Sequence, residues 1–305
     1  MEYLLLIVGI ALLVVGGDFL VKSALGLANK FNISPLLIGI TIVSFGTSAP
    51  ELIVSLQATL EGNPGIAIGN ILGSNIANVG LVLGLTVSLR SVYINRRKYF
   101  TSWLVMLISS LMFYGFSLDG QISKIEGLFF VAGLLAFITI SISSLSKEHS
   151  SDDSKTSMHP AMILLFFLLG SSGLYFGSEL LIANAVEIAY SIGVSEFIIG
   201  ATVVALGTSL PELATSLIAS LRGQNSISIG NLLGSNVFNI FAVLGITSLV
   251  QPIPVDFFLL YVDLPVMIGF VIMLGLFMFI GKKMGFIEGL ALIAAYIIYI
   301  SYSLF

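Results

Sequence analysis

The chain has 305 residues, of which 57% are hydrophobic and only 9% are charged, and its mean hydropathy is +1.09. Soluble domains contain about 45–50% apolar and about 25% charged residues, so the composition excludes an ordinary soluble protein and indicates a polytopic membrane protein. The absence of cysteine excludes disulfide scaffolds, thiolate metal sites and cysteine nucleophiles. The formal charge of −4 comes without a basic run, which argues against nucleic-acid binding.

Ten apolar stretches follow one another along the chain, each close to the roughly 20 residues that a membrane span requires. The first lacks the cationic start and the cleavage site of a signal peptide, so we interpret it as a span. The spans are predicted near 3–29, 34–60, 64–88, 99–117, 125–144, 161–190, 195–220, 225–250, 257–280 and 286–304. The polar segment between the fifth and sixth spans is predicted to be a solvated linker. The predicted domains are a first five-span repeat at 1–143, the linker at 144–160 and a second repeat at 161–305.

The two halves of the chain repeat one another. Residues 34–85 align without a gap on residues 195–246 at a constant offset of 161, and a little over half of the positions are identical. Because each half holds an odd number of spans, the second half must cross the membrane in the opposite sense, an arrangement common in secondary transporters. The predicted fold class is therefore an all-α membrane protein with ten transmembrane helices in two inverted five-helix repeats.

Basic residues indicate the orientation, because Lys and Arg favour the cytoplasmic side. With the N-terminus outside, most of the 12 basic residues fall in or beside cytoplasmic loops, and only Lys22 and Lys124 do not fit. We therefore expect a multi-pass protein of the cell membrane with both termini extracytoplasmic and the linker cytoplasmic. We expect it to be embedded in the lipid bilayer, and the sequence indicates no obligatory protein partner.

A polar stripe in the second span, SFGTSAPELIVS, returns in the seventh span. Its positions are Thr47, Ser48, Glu51 and Ser55, and then Thr208, Ser209, Glu212 and Ser216. An acid at the centre of the bilayer costs about 3 kcal/mol on insertion scales, so the symmetric Glu51 and Glu212 indicate function rather than packing. Pro50 and Pro211 each remove an amide donor and free a carbonyl four residues earlier, which predicts broken helices at the site.

The third and eighth spans add a second stripe of oxygen-bearing side chains. It consists of Asn70, Ser74 and Asn78, and then Asn231, Ser235 and Asn239. Carboxylate, amide, hydroxyl and carbonyl oxygens suit calcium and sodium, whereas transition metals usually bind imidazole or thiolate. Packing or interhelical hydrogen bonding is an equally good interpretation for several neighbours, namely Ser55, Ser216, Asn75 and Asn236. Asp18 is expected to pair with Lys22, and Glu126 and Glu288 are expected to act as helix-start acids.

The motifs GTSAPEL and GTSLPEL, each followed by GNxLGSNxxN, resemble those of the calcium/cation antiporter superfamily, most closely its prokaryotic sodium/calcium exchanger branch. The resemblance covers the whole chain. It implies that the first and sixth spans form a long tilted pair that slides past a core of the other eight. It also implies one central calcium site with sodium sites around it.

The resemblance implies ion ligands at matching positions of both repeats. They are Ser44, Thr47, Ser48, Glu51, Ser74 and Asn78 in the first repeat, and Ala205, Thr208, Ser209, Glu212, Ser235 and Asn239 in the second, with Ser44 and Ala205 acting through their carbonyls. Some relatives carry aspartate where this chain has Asn239. That departure weakens a potassium-dependent interpretation, because potassium-coupled relatives usually carry the acid.

The predicted function is secondary active exchange of sodium for calcium at a shared site in the middle of the membrane, without a cofactor and without enzymatic activity. Calcium/proton exchange on the same fold is the alternative, in which the glutamates simply take up protons. An intramembrane hydrolase would need an aspartate pair or histidines that the spans lack. A passive channel is disfavoured by the two-repeat layout, and calcium uptake without a countergradient would revive it.

Overall fold

The computed structural model describes residues 1–145, 158–193, 207–281 and 283–304. Ten helices are found in these ranges. They are α1 Glu2–Phe31, α2 Pro35–Leu60, α3 Pro64–Leu89, α4 Arg96–Phe116, α5 Lys124–Leu145, α6 Pro160–Ser191, α7 Leu210–Leu221, α8 Asn225–Val250, α9 Leu259–Ile280 and α10 Phe286–Leu304. Four two-residue strands lie between them, namely β1 Val92–Tyr93, β2 Gln121–Ile122, β3 Ile253–Pro254 and β4 Lys283–Met284.

Nine helices within the described ranges are long and apolar enough to cross a membrane. The remaining helix, α7, is apolar but shorter, and residues 195–206, which the sequence assigns to the same span, lie outside the described ranges. The prediction of about ten membrane-spanning helices is thus confirmed. The two small strand pairs were not predicted, since two-residue strands in loops leave no periodic pattern.

Helices α1 and α6 are the longest, with 30 and 32 residues, and they pack against each other along their length. At about 1.5 Å per residue each exceeds the roughly 30 Å of a bilayer core, so both are long enough to cross it at a tilt. Glycines allow the backbones to touch: a Cβ at Gly16 would lie 2.8 Å from the amide nitrogen of Leu174, and one at Gly177 would lie 2.9 Å from that of Leu13. Alanine or larger residues would force this pair apart.

The centre of the molecule is formed by α2, α3, α7 and α8, which contact one another. In the most apolar window of α8, 83% of the residues are buried, against 33% in that of α1. A π-helical turn occupies Asn78–Leu83 in α3 and Asn239–Leu244 in α8, at equivalent places of the two repeats. Such turns occur often at functional sites because they change the direction of side chains within a helix.

The breaks expected at the prolines are only partly visible. Helix α2 continues through Pro50 and instead has a π-helical turn at Gly39–Val43, whereas α7 begins at Leu210 after a turn at Thr208 and Ser209. Broken helices at the site therefore stay a prediction.

The strands pair across the two halves of the chain. Strand β1 pairs antiparallel with β4, and β2 pairs antiparallel with β3. Val92 is aligned with Met284, and Ile122 with Ile253. These four side chains are buried, so each strand pair fixes one end of the helix assembly.

Two polar features outside the centre follow the sequence expectation, and one contact of Asp18 was not predicted. Asp18 pairs with Lys22 at 2.8 Å, and it also pairs with Arg222 at the end of α7. Glu126 accepts a hydrogen bond from the amide of Ser123 at 2.7 Å, which forms a capping box at the start of α5.

Candidate functional site

Two glutamates lie at the centre of the helix assembly. Glu51 is on α2 and Glu212 is in the first turn of α7, and both side chains are completely buried. The two helices that carry them contact each other. Neither carboxylate oxygen of Glu51 has a hydrogen-bond partner in the described part of the chain, and the same holds for Oε2 of Glu212. Burying three carboxylate oxygens without hydrogen-bond partners costs free energy, and a bound cation would offset that cost.

Pairs of hydroxyls join the two halves beside these acids. Oγ1 of Thr47 on α2 lies 3.2 Å from Oγ of Ser235 on α8. The repeat counterparts of these two atoms, Oγ of Ser74 on α3 and Oγ1 of Thr208, lie 3.1 Å apart. The two contacts are related by the offset of the sequence repeat, so the halves contribute equivalent groups from opposite sides.

One of the neighbouring serines contacts a central carboxylate directly. Ser48 donates to Oε1 of Glu212 at 3.3 Å, so α2 and α7 meet at this acid. Its counterpart Ser209 is buried and its hydroxyl has no partner among the described residues. Ser44 donates to the carbonyls of Gly39 and Asn231, at 2.8 and 3.0 Å, which anchors α2 to α8.

The asparagines of the third and eighth spans fall into two groups. The first group holds helices together: Asn70 donates to Ser55 at 3.0 Å, and Asn231 donates to Ser216 at 3.0 Å. This outcome favours interhelical hydrogen bonding for the two serines. The second group is Asn78 and Asn239, at the first residues of the two π-helical turns. Both are fully buried, and their Oδ1 atoms have no partner within the described ranges.

The structure brings most of the predicted positions into this central region. Ala205 and its carbonyl lie outside the described residues. Within the described ranges no group of three or more His, Cys, Asp or Glu side chains is placed to hold a metal ion. The oxygens available beside the two glutamates are therefore neutral hydroxyls, amides and carbonyls, which are hard donors suited to sodium and calcium.

Sequence reasoning missed two features. Asn231 also accepts a hydrogen bond from Thr47 at 3.1 Å, so it connects α2 of the first repeat with α7 and α8 of the second. Asp263 in α9 is a third buried acid among the described residues, 8% exposed, and its Oδ1 accepts a hydrogen bond from the hydroxyl of Tyr299 at 3.0 Å. A lone aspartate inside the predicted ninth span was the available signal, but the chain has no repeat counterpart for it, since Ser102 stands at the equivalent position.

Comparison with known proteins places this geometry in a family. The family model described as "Sodium/calcium exchanger protein" matches residues 1–143 and 162–305. The sodium/calcium exchanger MaX1 of Methanosarcina acetivorans is 30% identical, with 98% of this chain and 97% of that protein covered. The putative antiporter CaxA of Alkalimonas amylolytica is 37% identical, with 82% and 81% covered.

A solved structure gives the same result for the fold. A structure of the sodium-calcium exchanger NCX_Mj soaked with Na⁺ and Ca²⁺ matches with a TM-score of 0.86 at 32% sequence identity, covering 98% of this chain and 97% of that chain. Fold and matches together define a polytopic membrane antiporter for calcium or related cations. The chain belongs to the sodium/calcium exchanger family.

Proposed function

We propose that the protein exchanges sodium for calcium across the membrane by alternating access at one shared site. The observation that carries this proposal is the pair of fully buried glutamates, three of whose carboxylate oxygens have no partner among the described residues, flanked by hydroxyl pairs from both halves. Two carboxylates neutralise one calcium ion. An empty site with two buried negative charges resists dehydration, whereas a loaded site can close.

We assign calcium to Glu51 and Glu212 with carbonyl oxygens beside them, and sodium to positions that share these glutamates and use the hydroxyls. The full set of proposed ligands is Ser44, Thr47, Ser48, Glu51, Ser74, Asn78, Ala205, Thr208, Ser209, Glu212, Ser235 and Asn239. Because both ions need the same carboxylates, occupation by one excludes the other, and this competition couples their movements. The transported ions are substrates, and no resident cofactor is assigned.

We further propose that the halves are inverted repeats. Strands β1 and β2 lie at the two ends of α4, and therefore on opposite sides of the membrane. Strand β3 follows α8, the counterpart of α3, yet it pairs with β2 and not with β1. The loop after α8 is thus on the side opposite to the loop after α3, as inversion requires. The reciprocal contacts of Gly16 and Gly177 between α1 and α6 also support this symmetry.

Charges support the proposed orientation in the cell membrane. Arg90 donates to the carbonyl of Leu221 at the end of α7, and Arg96 donates to the carbonyl of Ile280 at the end of α9. These arginines therefore lie at one end of the molecule, together with Arg222. An end rich in Arg and Lys favours the cytoplasm, which puts both termini outside and the linker 144–160 inside.

Calcium flux into reconstituted vesicles, with sodium, potassium and proton gradients imposed one at a time, tests the coupling. We expect an opposing sodium gradient to drive calcium transport, and a proton gradient without sodium to drive none. Calcium transport driven by protons alone would instead support calcium/proton exchange on the same fold. Calcium uptake that needs no countergradient would indicate a channel.

A further inference from the structure

Four asparagines lie at the contact between α3 and α8 and form two pairs of repeat counterparts. Asn75 corresponds to Asn236, and Asn78 corresponds to Asn239. All four side chains are at most 2% exposed. Four buried amides in the middle of a membrane protein need hydrogen-bond partners, so the bonds that each one makes or lacks describe what it does.

One cross pair is joined by a direct hydrogen bond. Nδ2 of Asn239 donates to Oδ1 of Asn75 at 3.1 Å, and Nδ2 of Asn75 donates to the backbone carbonyl of Asn236 at 3.3 Å. Because an amide oxygen can only accept, Asn75 holds the NH₂ group of Asn239 toward itself. The Oδ1 of Asn239 is thereby left without a partner in the described part of the chain, ready to act as a ligand.

The equivalent bond in the other cross pair is not formed between these described residues. That bond would run from Nδ2 of Asn78 to Oδ1 of Asn236, which has no partner among the described residues, while Nδ2 of Asn236 donates to the carbonyl of Leu232 in its own helix at 2.8 Å. Neither Oδ1 nor Nδ2 of Asn78 has a partner within the described ranges. Asn78 and Asn236 both line a cavity of about 10 Å³, which is roughly the space that one water molecule needs. Within the described ranges no hydrogen bond therefore fixes the amide of Asn78, whereas that of Asn239 is bonded to Asn75.

We propose that Asn75 is a positioning residue, which turns the amide oxygen of Asn239 toward the sodium ions that the site carries. This inference rests on the proposed function. It makes the site asymmetric although its sequence is repeated, since one of two equivalent asparagines is a preset oxygen ligand and the other is not. An ionised aspartate at position 239 has no hydrogen to donate to Oδ1 of Asn75. The interaction with Asn75 therefore requires the amide of Asn239.

Asn75→Leu tests the proposal, because leucine has a similar volume and cannot accept a hydrogen bond. The amide of Asn239 would then turn freely and present its NH₂ group to a cation for part of the time. We expect the sodium concentration for half-maximal calcium efflux to rise about 3- to 10-fold, the range for losing one ordinary hydrogen bond. Calcium/calcium exchange without sodium should change less than about twofold, since calcium is assigned to the glutamates.

The matched control is Asn236→Leu, which changes the repeat counterpart that makes no bond to Asn78. We expect its sodium dependence to stay close to that of the unmodified protein. Equal effects of the two substitutions would overturn the assignment, and so would an Asn75→Leu variant with unchanged sodium dependence. If Asn75→Leu also abolished calcium/calcium exchange, the residue would serve the fold and not the sodium site.

A double-mutant cycle with Asn239→Ala supplies the second test. If Asn75 acts through Asn239, Asn75→Leu should have no further effect on sodium dependence in the Asn239→Ala background. Additive effects would contradict the proposal. Failure of the proposed function is distinguishable, because it would be seen in the unmodified protein as calcium flux that is indifferent to sodium.

Discussion

The contact between α1 and α6 gives a prediction whose size follows from the structure. A Cβ at Gly16 would lie 2.8 Å from the amide nitrogen of Leu174 and 2.9 Å from the carbonyl oxygen of Gly170. Ordinary contacts of this kind begin near 3.4 Å, so Gly16→Ala must move two packed backbones apart by about half an ångström. Overpacking of this kind costs about 1–3 kcal/mol.

Gly115→Ala in α4 is the matched control, because a Cβ there meets nothing within 4 Å. Both variants replace a helical glycine by alanine, which gains at most about 1 kcal/mol of helix propensity at either position, so a loss of stability at Gly16 alone reports the steric cost. At roughly 2–4 °C per kcal/mol, we expect Gly16→Ala to unfold at least about 2 °C below Gly115→Ala. Thermal unfolding of both variants in one detergent measures this difference.

Calcium transport by the two glycine variants extends the same test. If α1 and α6 move together during transport, Gly16→Ala should slow calcium flux and Gly115→Ala should not. Equal thermal stability of the two variants would show that the close backbone contact is absent, and the reasoning about the long helix pair would be wrong.

Three further predictions concern charge. Acidification should lower the calcium transport rate, because protons compete with cations for Glu51 and Glu212; a rate that is unchanged when the pH of the vesicle assay is lowered would contradict this. Asp18→Asn should lower the unfolding free energy by only about 0.2–1 kcal/mol, since Asp18 and Arg222 are 22% and 41% exposed, and a clearly larger loss in thermal unfolding would contradict this. Sodium-dependent calcium flux should persist when potassium is replaced by choline, because Asn239 supplies no third carboxylate; collapse of the flux would refute that interpretation.

The sequence predicted the spans and the central acids for clear physical reasons. Apolar stretches must match the thickness of the bilayer, and an acid such as Glu51 or Glu212 is too costly to keep in a span without a role. The repeat offset then identified equivalent positions, and the structure brings Thr47 and Thr208 into reciprocal contacts beside these acids.

The remaining features depend on contacts that no local pattern encodes. The pairing of β2 with β3 joins residues far apart in the chain, and a two-residue strand has no periodicity to detect. Asn75 and Asn236 stand in similar motifs, GSNIAN and GSNVFN, yet among the described residues only Asn75 accepts a hydrogen bond from its cross-repeat partner. Which of two equivalent amides makes such a bond depends on small differences in packing, and these are decided by the neighbouring helices.

Calcium binding and sodium-driven calcium flux by Glu51→Gln and Glu212→Gln test the central claim most directly. Glu61→Gln, in the exposed turn after α2, is the matched control with the same change of an acid to an amide. We expect each central variant to fold, because an amide is cheaper to bury than an acid, and to lose calcium transport, because one carboxylate leaves the divalent ion half compensated. Glu61→Gln should transport calcium normally. Substantial sodium-driven calcium flux through either central variant would contradict a shared site built on the two glutamates.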